Sequence, residues 1–372
     1  TGNEYYRVAH WVLVDSTLTF FVSAAVASFA AAYVAERGRR KFLWYSAFYV
    51  ACTLAFYTKG FIGVIIPGLA VLSFLTFSGN LKELVKMRLW FGAIVFGLMT
   101  LPWFYALWQQ GNGAEFLKIV FIQNHLQRFI PAGLAGEVAA FTSGHHHPFY
   151  YYVIEFPNGF LPWSILLIPT FLHIFAKSRS AADDAMSNKG TILAICWFLT
   201  GIVFLSIAST KRMLYLMPIF APASILTAVY IESLLVRRAV NTIGRIFLSL
   251  FSGILVLTSV SMIAAYFYFE RLYLIRIAGF SLVTTILTAL VILCLSITSI
   301  RYLWQLDLKR YWISINLSVV IVLLFASVVA FPLIDQAKSF VPFCREISSR
   351  VPAEDPLYSY QPDETFRGAV PF

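Results

Sequence analysis

Residues 102–163 read PWFYALWQQGNGAEFLKIVFIQNHLQRFIPAGLAGEVAAFTSGHHHPFYYYVIEFPNGFLPW, the one long polar interruption in an otherwise almost continuously apolar chain. Four of the six histidines lie in it, as does an Asn-His-x-x-Arg cluster, and Pro-Trp pairs stand where apolar segments end or begin. Polar groups interrupting membrane-depth sequence are costly, so their default reading is a functional site. Numbered as a helix from Glu115, Lys118, His125 and Arg128 fall within an arc of roughly 80 degrees. Leu117 and Phe121 share that arc, so an amphipathic helix lying on the bilayer and snorkelling its charges is the alternative.

Working outward, composition sets the class. Hydrophobic residues make up 59% and charged residues 12%, against about 25% charge in soluble domains. The chain therefore reads as an all-α polytopic membrane protein. Its net charge of +10 has to be read by side of the membrane rather than as a nucleic-acid signature. Thirty-five Phe, 19 Tyr and 9 Trp suit interfacial belts and aromatic cavities for lipid or sugar. No C-x-x-C pair supports a cysteine zinc site, and the four cysteines form no disulfide framework.

Ten apolar segments are long enough to expect helices, at 16–34, 42–57, 61–77, 90–107, 158–176, 190–208, 213–233, 246–268, 277–299 and 312–331. Alternate loops sort by charge. One set carries 16 of the 28 Lys and Arg, including Arg39, Arg40, Lys41, Lys82, Lys86 and Arg88; the other carries 8, leaving out the tail. The positive-inside rule makes the first set cytoplasmic. The polar loop 108–157, Asp15, Lys59 and the Lys211–Arg212 pair then face outward, and any chemistry is extracytoplasmic.

Both ends also come out external. An external start without a signal segment leads us to expect a piece of a longer protein, lacking at least one upstream helix. Such a piece, expressed alone, is expected to insert poorly and to transfer nothing. Residues 1–332 form the expected membrane domain, and 333–372 the beginning of an external α/β domain, with a helix at 335–350 and a strand at 356–360. No Walker motif is present, so a bound nucleotide is not expected.

The ordered motifs D-S-x-L-T-F-F from Asp15, Y-T-K-G around Lys59, P-W-F, E-F, H-L-Q-R-F, H-P-F-Y-Y-Y, L-P-W and S-T-K-R-M-L-Y-L-M-P resemble those of the polyprenol-phosphate-dependent glycosyltransferases. These are the aminoarabinose transferase and dolichyl-phosphate-mannose mannosyltransferase type, with the GT-C fold. The resemblance covers most of residues 11–222. It implies transfer of a sugar from a polyprenyl-phosphate donor in the bilayer to a lipid, glycan or protein acceptor, on the outer face of a bacterial inner membrane. Nucleic acid is not an expected partner.

Its implied site residues follow motif by motif. Asp15 resembles the family's second acidic motif and is the catalytic candidate, with helix capping as the alternative. Lys59, Arg128, Lys211, Arg212 and Tyr215 are implied at the donor phosphate, with Arg128 favoured because a guanidinium forks onto phosphate oxygens. Read without the resemblance, Lys59 is a snorkelling lysine and Lys211–Arg212 a solvated pair. His125 matches a histidine associated with metal or phosphate, so a divalent metal ion is the implied cofactor. Lys118, Asn124, His147, Tyr150 and Tyr151 line the expected loop and cavity. The family's principal acid lies in a first external loop that would precede Thr1. A secondary transporter or lipid flippase is the competing reading, which predicts ionisable groups near the membrane centre.

Overall fold

The computed structural model describes residues 14–36, 38–109, 113, 147–178, 185–208, 210–273, 279–332 and 341–350. Every regular element among them is helical. Chain contacts separate two compact units, residues 1–248 and 249–372.

The first unit opens with α1 (Val14–Val34), α2 (Arg39–Lys59) and α3 (Ile62–Phe77). Their shared core is aromatic. Phe29 of α1 meets Phe48 of α2 and Phe74 of α3 edge-on, with ring centroids 6.3 and 5.9 Å away. Aromatic pairs at such distances and tilts add modestly to the area they bury. The α2–α3 hairpin turns at Gly60, whose φ of 66° is open to glycine at little cost. Gly63 lets α3 press on α2: a Cβ there would overlap the Ala55 carbonyl.

A five-residue helix, α4 (Glu83–Met87), leads into α5 (Leu89–Gln109). After the polar loop, α6 (Tyr151–Gly159) and a 3-10 turn at Trp163–Leu166 precede α7 (Leu167–Ser178). Then come α8 (Ala185–Ile207), a 3-10 turn at Met213–Leu216, and α9 (Met217–Arg237), which has proline in its first turn. α8 packs on α3 and α9, and α9 also reaches α1 and α7. That arrangement brings the 3-10 turn before α9 to the end of α2.

α10 (Thr242–Tyr273) leads into the second unit, which contains α11 (Gly279–Trp304), α12 (Leu308–Phe325, continued by a π turn at Ala326–Ala330) and α13 (Val341–Arg350). Asp307 caps α12 by accepting from the Arg310 backbone N–H at 3.1 Å. Within this unit the buried Ser252 and Ser299 hydroxyls meet at 2.8 Å, so α10 and α11 bury these polar groups satisfied.

Among the described residues seven helices are long and apolar enough to cross a membrane, so the expected count of ten is approximate. Segment 158–176 is the clearest difference, because α6 and the helix after it meet at 113° instead of forming one rod. Pro157 and Pro162 bracket that bend, and proline cannot continue a helical hydrogen-bond ladder. α3 has 16 residues, about 24 Å of rise, short of a typical 30 Å hydrocarbon core. α2 is long enough but carries Arg39, Arg40, Lys41 and Lys59 near its ends. In the tail, α13 covers the later part of the expected helix at 335–350; the strand expected at 356–360 lies outside the described residues.

Candidate active site

Asp15 is the second residue of α1 and is 4% exposed. Its backbone carbonyl accepts from the Thr19 hydroxyl at 2.8 Å. Its carboxylate Oδ1 accepts from the Nζ of Lys59, the last residue of α2. A carboxylate this buried needs such a partner, because leaving one charge of a buried pair alone costs several kcal/mol. The ammonium also stands 4.3 Å from the centroid of the Tyr215 ring, within cation–π range. Asp15, Lys59 and Tyr215, 200 residues apart in the chain, thus form one cluster.

Tyr215 is fixed by its local backbone. Arg212 is extended, and the turn that follows is closed by the Tyr215 N–H donating to the Arg212 carbonyl at 3.0 Å. The Tyr152 hydroxyl holds Arg212 from the other side, donating to its carbonyl at 3.2 Å and accepting from its N–H at 3.3 Å. Tyr152 has no exposed surface. It is a site residue that sequence reading did not single out.

Lys211 is 2% exposed, and its ammonium donates to the His147 carbonyl at 2.9 Å and to the Ala208 carbonyl. Desolvation lowers its pKa from the ordinary lysine value. The same short stretch that carries Tyr215 therefore also ties down residue 147, where the polar loop returns. There the His147 imidazole stacks on Tyr151, centroids 4.1 Å apart at 16°. Tyr150, just before α6, is 49% exposed.

The structure thus gathers Asp15, Lys59 and Tyr215 in one contact set, and His147, Tyr151, Lys211 and Arg212 in another joined to it through residues 211–215. Lys118, Asn124, His125 and Arg128 lie outside the described residues. No three His, Cys, Asp or Glu side chains converge as a metal site among the described residues. Asp15, the carboxylate of the cluster, is engaged with an ammonium. The residues described here do not by themselves make a metal site, which ordinarily takes three or more protein ligands.

Residues 1–116 match the family described as dolichyl-phosphate-mannose-protein mannosyltransferase. The undecaprenyl phosphate-alpha-4-amino-4-deoxy-L-arabinose arabinosyl transferase of Pectobacterium atrosepticum is 29% identical over 255 residues, covering 67% of this chain and 42% of that protein. Its counterpart in Edwardsiella ictaluri is 30% identical over 237 residues, covering 62% of this chain and 38% of that protein. The matched stretch therefore spans less than half the length of these curated relatives. Among solved structures, ArnT from Cupriavidus metallidurans bound to undecaprenyl phosphate superposes with a TM-score of 0.66 at 20% identity, over 97% of this chain and 61% of that one. Its apo form gives 0.65 at 19% identity.

Proposed function

We propose that this chain, a relative of the polyprenol-phosphate sugar transferases and a holder of their GT-C fold, takes part in moving a sugar from a polyprenyl-phosphate donor to a membrane-associated acceptor at the outer face of a bacterial inner membrane. The carrying observation is Lys59, fixed between the Asp15 carboxylate and the Tyr215 ring at the end of α2 opposite the cationic cytoplasmic loops. A cation held in place where a lipid phosphate meets the interface stabilises charge without having to reorganise.

The reaction breaks the bond between the sugar's anomeric carbon and a phosphate oxygen. The acceptor's hydroxyl or amine supplies the new bond, its proton passes to a carboxylate or solvent, and the polyprenyl phosphate leaves carrying the added negative charge. In this reading Lys59 stabilises that charge, and Asp15 fixes the ammonium's place. Tyr215 supplies an aromatic wall beside the donor. Lys211 holds the turn and the loop return together, and Arg212 adds positive charge next to them. Arg128, on the polar loop, is proposed as the phosphate fork, and His125 with a divalent metal ion stays a proposal resting on the motif alone. Lys118, Asn124, His147, Tyr150 and Tyr151 are proposed to shape the cavity, and residues 333–372 to begin an external α/β domain.

The test is thin-layer analysis of radiolabelled polyprenyl-phosphate sugars incubated with membranes containing the full-length protein. Label leaving the donor and appearing in an acceptor, with polyprenyl phosphate as the second product, supports the proposal. Label that crosses the bilayer still attached to its lipid would make the protein a flippase instead.

A further inference from the structure

The opposite end of α2, 20 residues and about 30 Å from Lys59, carries a second built cluster. Glu83 of α4 is 2% exposed and receives three donors: Lys41 Nζ, Lys86 Nζ and the Tyr45 hydroxyl, each at 2.6 Å. The Tyr49 hydroxyl donates to the Met87 carbonyl at 2.9 Å, pinning the other end of α4 to α2. Arg88 follows in the left-handed region, φ 55°, its guanidinium 5.7 Å from the Phe42 ring. The start of α2 and the α3–α5 connection are therefore one rigid surface.

That surface has more positive charge than its own acids balance. Glu83 is buried and saturated by its three donors, so it does not neutralise the cations turned outward. Arg39, Arg40, Lys82 and Arg88 are all exposed, and among the described residues none is in an ion pair. The first turn of α2 holds basic residues and no acid, the reverse of what a helix dipole favours. Interleaved with these cations are exposed apolar side chains, Val85 at 81%, Leu89 at 54% and Trp90 at 63%. Cations beside outward apolar groups and an indole are the composition of a segment lying in the headgroup layer.

We propose that this surface binds the anionic headgroups of phospholipids in the cytoplasmic leaflet, with Arg39, Arg40, Lys82 and Arg88 meeting phosphate and Val85, Leu89 and Trp90 reaching beneath it. Phospholipid is favoured over a soluble acidic partner because the cations and the apolar side chains share one rim at the end of the membrane helix α5. Juxtamembrane cations gain roughly 1 kcal/mol each from an anionic leaflet, about fivefold in affinity per cation.

The experiment is native mass spectrometry of the delipidated full-length protein, titrated with phosphatidylglycerol and phosphatidylcholine of identical acyl chains. Retention of phosphatidylglycerol should exceed that of phosphatidylcholine by about tenfold or more. The triple variant Arg40→Ala, Lys82→Ala, Arg88→Ala should lose most of that preference. Raising ammonium acetate should erode it in the wild type, a readout that needs no variant to fold. Equal retention of the two lipids overturns the proposal, as does a preference unmoved by both the triple variant and salt. Sugar transfer plays no part in this assay, so its outcome leaves the catalytic reading to its own test.

Discussion

The ammonium of Lys211 donates to the carbonyl oxygen of His147 at 2.9 Å, across 64 residues of chain. This contact fastens the return of the polar loop to the turn that carries Tyr215. A buried lysine held by main-chain carbonyls acts as a strut, and its replacement tests whether the two halves of the site depend on each other.

Lys211→Met should leave the His147 and Ala208 carbonyls without that donor, at about 1–3 kcal/mol, read as a lowered Tm in detergent. The pH dependence has a definite sign. Because desolvation depresses the folded-state pKa, the folded protein loses this proton before the unfolded chain does. The unfolded state then binds more protons between the two values, so stability attributable to Lys211 rises with pH in that window and falls again as pH drops through the folded value. The Tm difference between wild type and Lys211→Met should therefore shift in favour of wild type as pH climbs from neutral toward the ordinary lysine pKa. A difference that stays flat with pH would contradict the desolvated strut.

Tyr152→Phe removes a hydroxyl that both donates to and accepts from the Arg212 backbone, while leaving the ring in its buried place. The expected cost is about 1 kcal/mol in stability. Transfer should fall further than this, because the turn presenting Tyr215 loses its brace. Tyr150→Phe, at an exposed position, is the control and should change stability by less than about 0.5 kcal/mol. Equal effects of the two substitutions would show that Tyr152 does not hold the turn.

Gly63→Ala and Gly201→Ala separate a rigid obstacle from a soft one. At Gly63 the new methyl would overlap the backbone carbonyl of Ala55, whereas at Gly201 it would meet the Cδ1 end of Ile219. A side-chain tip can change rotamer and a helix backbone cannot, so Gly63→Ala should destabilise by about 1–3 kcal/mol or more. Gly201→Ala should cost less, partly offset by alanine's better helix propensity. Comparable Tm losses would mean that α3 can slide away from α2.

Much of the site was legible because motif order survives in one dimension. Asp15, Lys59 and Tyr215 were each marked by a short pattern, and so were His147, Tyr151, Lys211 and Arg212. What a linear reading could not supply was partnership. Nothing near Lys59 in the chain says that its charge meets Asp15, because that contact depends on how α1 and α2 pack. Tyr152 was passed over for a similar reason: in three consecutive tyrosines only the phase of α6 decides which ring turns inward. The bend between α6 and α7 was hidden by apolar composition that scores alike for a straight or a broken helix. Glu83 carries no motif in the sequence, and only its burial among Lys41, Lys86 and Tyr45 reveals a built cluster.

Lys59, fixed by Asp15 and facing Tyr215, is proposed to hold the phosphate of a polyprenyl donor. The most direct measurement is equilibrium binding of undecaprenyl phosphate and of undecaprenol to the full-length protein, wild type and Lys59→Met, with Lys59→Arg as the charge-retaining control. A hydrogen bond to a charged group is worth about 1.5–3 kcal/mol. Wild type should prefer the phosphate, and Lys59→Met should weaken its binding roughly ten- to a hundredfold while leaving undecaprenol binding within about twofold; Lys59→Arg should recover part of the loss. Undecaprenyl phosphate bound equally well by wild type and Lys59→Met would show that Lys59 does not hold the phosphate.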